Sequence, residues 1–285
     1  MRIILSVFFM LISGICFSQQ QFDPAKSGYV LIWKEEFDQN GKLDSTKWRF
    51  EKGFVRNQEL QWYQEQNAKM ENGNLIITGK RESVANPNFE SSNQDWRKSR
   101  AQAEYTSSSI NTRGKFDFQY GVVEVRAKID TSMGLWPAIW TLGIKNPWPA
   151  NGEIDIMEYY RVKNVATILA NAAWADSGQY RAKWDEAKIP FDDFLKKDPD
   201  WPSKFHIWRM EWTEQTIKLY LDNELLNEID LRETINPDGF NPFRHPHYIL
   251  LNLAIGGNGG DPSGSVFPGE YLVDYVRVYQ KKTAN

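Results

Sequence analysis

The chain has 285 residues, with 34 Lys or Arg against 37 Asp or Glu and a net charge of −3. It carries no basic stripe, which argues against nucleic acid as the partner and against a heavily sulfated polyanion as the substrate. Its only cysteine is Cys16, inside a segment read below as removed, so thiol nucleophiles, thiolate metal sites and disulfide staples are excluded from the mature protein.

Residues 1–18 read as a secretory signal peptide: Arg2, then the apolar run Ile3 to Ile15, then small and polar residues around Ser18. The run is too short to span a bilayer, and no later run is long enough, so no membrane span is expected. Ile15 stands where a lipoprotein signal would carry a small residue before Cys16, so cleavage near Ser18–Gln19 is expected instead of lipidation. The mature protein is expected to be exported (periplasmic, secreted or at the cell surface) and monomeric. Residues 19–28 form a short polar arm. Residues 29–281 carry no linker, repeat or low-complexity tract and read as a single domain. About 265 residues remain after cleavage, enough for one large core.

From residue 29 onward, short runs rich in Val, Ile, Trp, Tyr and Phe are broken by Gly, Asn, Asp and Pro. Strands are predicted at Tyr29–Trp33, Asn74–Gly79, Gly114–Phe118, Gly121–Ile129, Ala138–Leu142 and Glu153–Tyr159. Further strands are predicted at Thr167–Trp174, His206–Trp212, Thr216–Leu221, His247–Ala254 and Tyr271–Tyr279. Val123 to Ile129 alternates apolar with charged residues, the pattern of an antiparallel strand with one buried face. Short helices are predicted within Pro190–Lys197 and at Leu231–Ile235. Long loops are predicted at Glu82–Arg100 and Asp176–Ser203, and loops of that length tend to line functional sites. The fold class is all-β, two antiparallel sheets packed as a sandwich.

Three carboxylates fall within Glu153-Ile154-Asp155-Ile156-Met157-Glu158. In a strand Glu153 and Asp155 share a face, and strict alternation would turn Glu158 away. One extra residue in a β-bulge restores the phase and puts all three acids in a row. Like charges that close favour a retained proton on at least one of them. An ionised carboxylate beside a protonated one is the equipment for cleaving a glycosidic bond. Counting the bulge, Glu153 and Glu158 lie about 13 Å apart at the backbone, and side chains leaning together reach the short separation of double displacement. Asp155 between them is placed to hydrogen-bond Glu153, and the spacing leaves open which glutamate attacks.

Upstream, Met133 to Trp140 and the turn Asn146 to Gly152 suggest a hairpin that sets Trp136 and Trp140 beside the acids. The chain holds 12 Trp, 12 Tyr and 16 Phe. That surplus points to rings exposed in a cleft, where flat apolar faces cover sugars. His206, His245 and His247 have no partners at metal-ligand spacing. Gly256 to Gly260 lacks the Lys-Ser/Thr of a phosphate loop and reads as a close-approach loop at the cleft.

Gly152 to Glu158 resembles the signature of glycoside hydrolase family 16, in the bulged branch that holds laminarinases, agarases, porphyranases and κ-carrageenases. Trp33 to Phe37, Trp48, Asn57 to Tyr63, Glu71 to Leu75, Gly114 to Arg126, Gly134 to Trp140, Asn252 to Gly257 and Asp274 to Tyr279 are also similar to family motifs. The resemblance implies a β-jelly-roll sandwich with a concave substrate cleft, and retaining hydrolysis inside a β-linked polysaccharide. It implies Glu153 as nucleophile, Glu158 as acid/base and Asp155 as the assisting carboxylate. It implies Asn57, Glu59, Arg113, Trp136, Trp140 and Trp174 as substrate-binding residues. No cofactor is implied for catalysis, and a structural calcium is implied at Glu36, the backbone of Gly73, and Asp274. Laminarinases often carry a His-Trp pair on the strand after the catalytic one; this chain has Asn171-Ala172-Ala173-Trp174, so the histidine is missing. The Asn57–Tyr63 stretch favours β-1,3-glucan, with mixed β-1,3/1,4-glucan as an extension. Agarose, porphyran or carrageenan remain the alternative substrates, and a non-catalytic glycan-binding protein on the same fold is the alternative class.

Overall fold

The computed structural model describes residues 22–178 and 180–282; the expected signal peptide and the start of the arm lie outside the described residues. In chain order the strands are β1 (Tyr29–Glu35), β2 (Arg49–Phe50), β3 (Gln61–Tyr63), β4 (Ala68–Glu71), β5 (Asn74–Gly79), β6 (Val84–Ala85), β7 (Gln102–Ala103), β8 (Tyr105–Ser107), β9 (Ser109–Asn111) and β10 (Gly121–Lys128). They continue as β11 (Leu135–Gly143), β12 (Glu153–Val162), β13 (Val165–Ala175), β14 (Ala182–Pro190), β15 (His206–Trp212), β16 (Thr216–Leu221), β17 (Glu224–Asp230), β18 (His247–Ile255) and β19 (Gly269–Lys281). Two short helices, α1 (Trp96–Ser99) and α2 (Phe191–Lys197), complete the regular structure beyond single 3-10 turns.

Two antiparallel sheets pack face to face. One orders its strands β17-β16-β15-β10-β19-β5-β4, with β1 also on β19; the other runs β14-β13-β12-β11-β18-β9-β2. Alternation decides which side of each strand meets the partner sheet. In β10, Val123 and Val125 are fully buried while Glu124 and Arg126 are half-buried on the other face. In the second sheet Ile139, Ile154, Ile168, Leu251 and Leu253 face the same core. The outer face of that sheet carries Trp140, Ala138, Leu250 and Tyr248 as a separate apolar cluster. This is the two-sheet β-jelly-roll sandwich expected.

Three expectations need correction. Gly114–Phe118 is a turn that touches the sheet only through the Phe118–His247 bridge. Gly114 there has φ +72°, outside extended geometry. Leu231–Ile235 forms turns and no helix, because Asp230 accepts from the Arg232 amide at 2.9 Å and diverts the backbone. The segment 176–203 is not simply loop. It supplies edge strand β14, paired along its length to β13, and then α2, whose Phe191 and Phe194 are buried against Trp201. Among the described residues no helix is long and apolar enough to cross a membrane.

Candidate active site

Gly152 lets the chain turn into β12. Its φ is +78°, and a Cβ there would meet Pro242 at 2.7 Å. Along β11, Leu142 pairs Glu153, Thr141 pairs Ile154 and Trp140 pairs Asp155; Ile139 then pairs Met157, leaving Ile156 without a partner. On the other side Asp155 pairs Asn171 and Glu158 pairs Leu169, so Ile156 and Met157 together oppose Ala170. That is the predicted bulge. Both bulged residues are fully buried in the sandwich core, and β12 resumes with Glu158 and Tyr160 on the cleft side. All three acids line one cleft of about 760 Å³ on the outer face of the sheet.

The acids differ in what surrounds them. Asp155 is enclosed, at 1 % exposure. Burial raises its pKa well above the usual carboxylate range, and Glu158 and Glu153 push it further the same way. That favours the protonated form of Asp155, and a hydrogen bond from it supports the Glu153 anion. Burial pushes Glu153 up to about 7, while the Trp148 indole N–H at 2.9 Å and the positive charge of Arg56 hold it down. Burial pushes Glu158 up to about 8, and the nearby Glu153 charge adds to the rise. Trp136 Nε1 donates to Glu158 at 2.9 Å. The Trp148 donor and Arg56 thus favour the anion on Glu153, and the charge of Glu153 favours the proton on Glu158.

A loop from the other end of the sheet closes one flank. Asn57 and Gln58 both sit at positive φ, near +53°, which turns the chain back over the cleft. Glu59, 3 % exposed, accepts from Asn57 Nδ2 at 3.2 Å, Gln61 Nε2 at 2.6 Å and the Tyr63 hydroxyl at 3.3 Å. Burial raises its pKa despite these donors. Asn252 Nδ2 donates to Tyr63 at 3.2 Å, and Asn252 Oδ1 accepts from Trp140 Nε1 at 2.7 Å. One network therefore ties the loop to the sheet. Gly256 admits this loop: a Cβ there would fall 2.5 Å from Leu60. Asn258 from the same glycine-rich turn reaches the cleft.

The structure brings Asn57, Glu59, Trp136 and Trp140 to the cleft with the acids. Trp136 and Trp140 are each only 7 % exposed, so they offer little open surface at the floor. Two of the expected substrate-binding residues lie outside the lining of this cleft. Trp174 points to the opposite face of β13 from Asn171 and packs in the core, edge-on to Phe243. Arg113 is exposed, lies over the Tyr248 ring at 5.6 Å and is not part of the cleft lining. The calcium assignment does not fit either. Glu36 is held bidentately by Arg277 at 2.9 and 2.8 Å, and Asp274 is paired with Arg126. Gly73 forms the β4–β5 turn at φ +74°. Among the described residues no three His, Cys, Asp or Glu side chains gather where they could hold a metal. The carboxylates there are already neutralised by guanidinium groups.

Sequence reasoning missed Arg56, Trp148, Tyr160, Trp184 and Glu186, all of which line the cleft. Arg56 pairs with Glu51 and stacks over Trp140 at 5.0 Å. Its place beside Asn57 in the same motif was the available signal. Tyr160 follows Glu158 by two and shares its face once the bulge is set. Trp148 sits in the loop before Glu153, and only the tertiary turn aims it at the acid.

Residues 55–277 match glycosyl hydrolases family 16. The chain is 33 % identical over 284 residues to the glucan endo-1,3-beta-glucosidase A1 of Niallia circulans, covering 91 % of this chain and 39 % of that protein's length. A solved chain from endo-acting O-glycanases, which prominent members of the human gut microbiota express to initiate mucin breakdown, superposes with a TM-score of 0.80 at 36 % identity, covering 90 % of this chain and 92 % of its own. The laminarinase catalytic domain of Thermotoga maritima superposes with a TM-score of 0.73 at 31 % identity, covering 90 % and 99 %.

Proposed function

This chain belongs to glycosyl hydrolases family 16 and is a glycoside hydrolase of that β-sandwich fold, and on that premise we propose that it is an exported endo-β-1,3-glucanase that cuts its polysaccharide by double displacement. The observation that carries the reading is the bulge at Ile156–Met157, which sets Glu153 and Glu158 in one cleft with Asp155 between them. Ionised Glu153 attacks the anomeric carbon while Glu158 passes its proton to the departing glycosidic oxygen. A covalent glycosyl ester forms on Glu153 and the leaving chain departs with the proton. Glu158, now a carboxylate, takes a proton from water, whose oxygen displaces Glu153 and restores the original anomer. Asp155 donates its hydrogen bond to Glu153 in the free enzyme and so favours the attacking anion.

Endo action is supported by the course of the cleft, which crosses the strands from Trp184 on edge strand β14 to Asn252 on β18. Export is supported by the apolar run Ile3 to Ile15 after Arg2. Glucan as substrate is supported by the relatives named for it and by the Asn57–Tyr63 loop.

A second substrate reading is favoured by one feature. Ala173, on the cleft face of β13, stands where the histidine of a laminarinase-type His-Trp pair was expected, and the O-glycanase chain superposes more closely than the laminarinase domain. A mucin-type O-glycan is the substrate that reading requires, and poly-N-acetyllactosamine, a β-linked galactosyl–N-acetylglucosamine chain, serves as its probe. Incubation with laminarin, mixed-linkage glucan, agarose and poly-N-acetyllactosamine, followed by sizing of products, decides between them. The glucan reading predicts short oligosaccharides from laminarin. Cleavage of poly-N-acetyllactosamine alone would replace it, and binding without new reducing ends would point to a non-catalytic glycan-binding protein.

A further inference from the structure

Of the tryptophans that line the cleft, Trp136 and Trp140 show little surface, whereas Trp184 is 41 % and Trp148 38 % exposed. Trp148 has a partner, since its N–H binds Glu153. Trp184 makes no side-chain hydrogen bond or aromatic pair among the described residues. It lies on β14, an edge strand, where an exposed ring on a sheet margin is a liability unless something covers it.

The register gives its distance from the chemistry. Trp184 pairs Ala173, and Ala173 pairs Glu153. Two strand spacings, roughly 10 Å, therefore separate the Trp184 and Glu153 backbones, and the only residue between them on that row is an alanine. Glu186 follows on the same face, opposite Asn171, and also lines the cleft. Lys188 pairs with Glu186 at 2.7 Å. The alternate residues face inward and fix the strand: Asn227 donates to Asp185 at 3.0 Å and to the Ala170 carbonyl at 3.0 Å. The ring is thus mounted on a rigid strand, at the end of the cleft away from Arg56 and Asn57.

We propose that Trp184, supported by Glu186, is a substrate-binding platform that stacks a pyranose ring of the β-linked chain beyond the residues at the acids, and so sets the length of glycan the enzyme prefers. This rests on the glycoside hydrolase reading above. A flat indole covers the axial C–H face of a sugar, while Glu186 and Lys188 offer hydrogen bonds to its hydroxyls. The strand was hidden in a segment whose sequence read as a long loop.

The test uses the Glu153→Gln protein, which holds glycan without turnover, with and without Trp184→Ala or Trp184→Phe. Binding is measured by calorimetry for laminari-oligosaccharides and for N-acetyllactosamine oligomers of increasing length. The platform predicts that Trp184→Ala loses about tenfold in affinity for the longer oligomers of the series that binds, leaves the shortest unchanged, and is largely rescued by Trp184→Phe. Equal affinity at every length, with Trp184 or with Ala, would overturn the platform and leave the hydrolase reading intact. A uniform loss at all lengths would also overturn it, because it would mean a damaged cleft. No binding of either series by Glu153→Gln would overturn both.

Discussion

Glu153 and Glu158 are chemically the same side chain given different work by their neighbours. Trp148 N–H, Arg56 and a hydrogen bond from Asp155 favour the anion of Glu153, while Glu158 faces the charge of Glu153 with the Trp136 indole and a long Asn171 bond against it. The pH profile of kcat/KM is expected to be a narrow bell, its acidic limb reporting Glu153 near 7 and its alkaline limb Glu158 near 8. Asp155→Ala removes a carboxyl whose burial favours its protonated form, and with it the hydrogen bond to Glu153. Glu153 then loses stabilisation of its anion, so the acidic limb should move to higher pH; a limb that stays or moves down contradicts the assignment. Glu158→Ala should cost about 10³-fold or more on the natural glycan but far less on an aryl glycoside with a good leaving group, measured as the rate of the first step. Equal losses on both substrates would remove Glu158 as the acid.

At the scale of elements, β12 owes its function to one unpaired residue. Without the bulge, Met157 would share the face of Asp155 and Glu158 would enter the core. Met157→Glu therefore buries a carboxylate in the sandwich interior, a loss of several kcal/mol, read as a fall of about 10 °C in Tm. Glu158→Met places an apolar chain in an open cleft and should leave Tm within a few degrees while abolishing activity. The reverse order of stabilities would show the strand to be regular. The bulge was legible in the sequence because three acids with two Ile and one Met between them admit one sensible face. Strand β16 was legible from its alternation, and β5 and β15 from short apolar runs rich in Leu, Ile, Trp and Met. Strand β14 was not. It is an edge strand with Lys183, Trp184, Glu186 and Lys188 exposed, so its buried side reduces to Asp185, Ala187 and Ile189. Trp174 was misplaced because one register step decides whether a β13 residue meets the cleft or the core. Of the residues expected at a calcium, Glu36 is paired with Arg277 and Asp274 with Arg126, partners that lie far off in the sequence.

For the whole molecule, a cluster of proton-holding acids in the cleft ties stability to pH. The unfolded Glu158 ionises near 4.5, whereas the folded one ionises near 8. Between those values the unfolded chain releases a proton that the folded chain keeps, so stability falls as pH rises and the loss is complete above about 8. Glu158→Gln has no proton to lose. Its Tm should match the parent near pH 4 and exceed it by a few degrees at pH 8 to 9, the cleft's access to solvent holding the gain to about 1 kcal/mol. A gain that is larger at pH 4 than at pH 8 would reverse the sign and refute the raised pKa. The same arrangement that costs stability supplies the chemistry, as functional sites in folded proteins often do.

The most direct test of the central claim is the anomeric configuration of the first product, followed by proton NMR during cleavage of whichever glycan the panel identifies. Attack by Glu153 from within one cleft, with Glu158 as the proton donor, predicts that the β-anomer appears first and mutarotates only later. Initial release of the α-anomer would mean that water attacks directly, and that the bulge does not bring these two glutamates to the separation that a covalent intermediate requires.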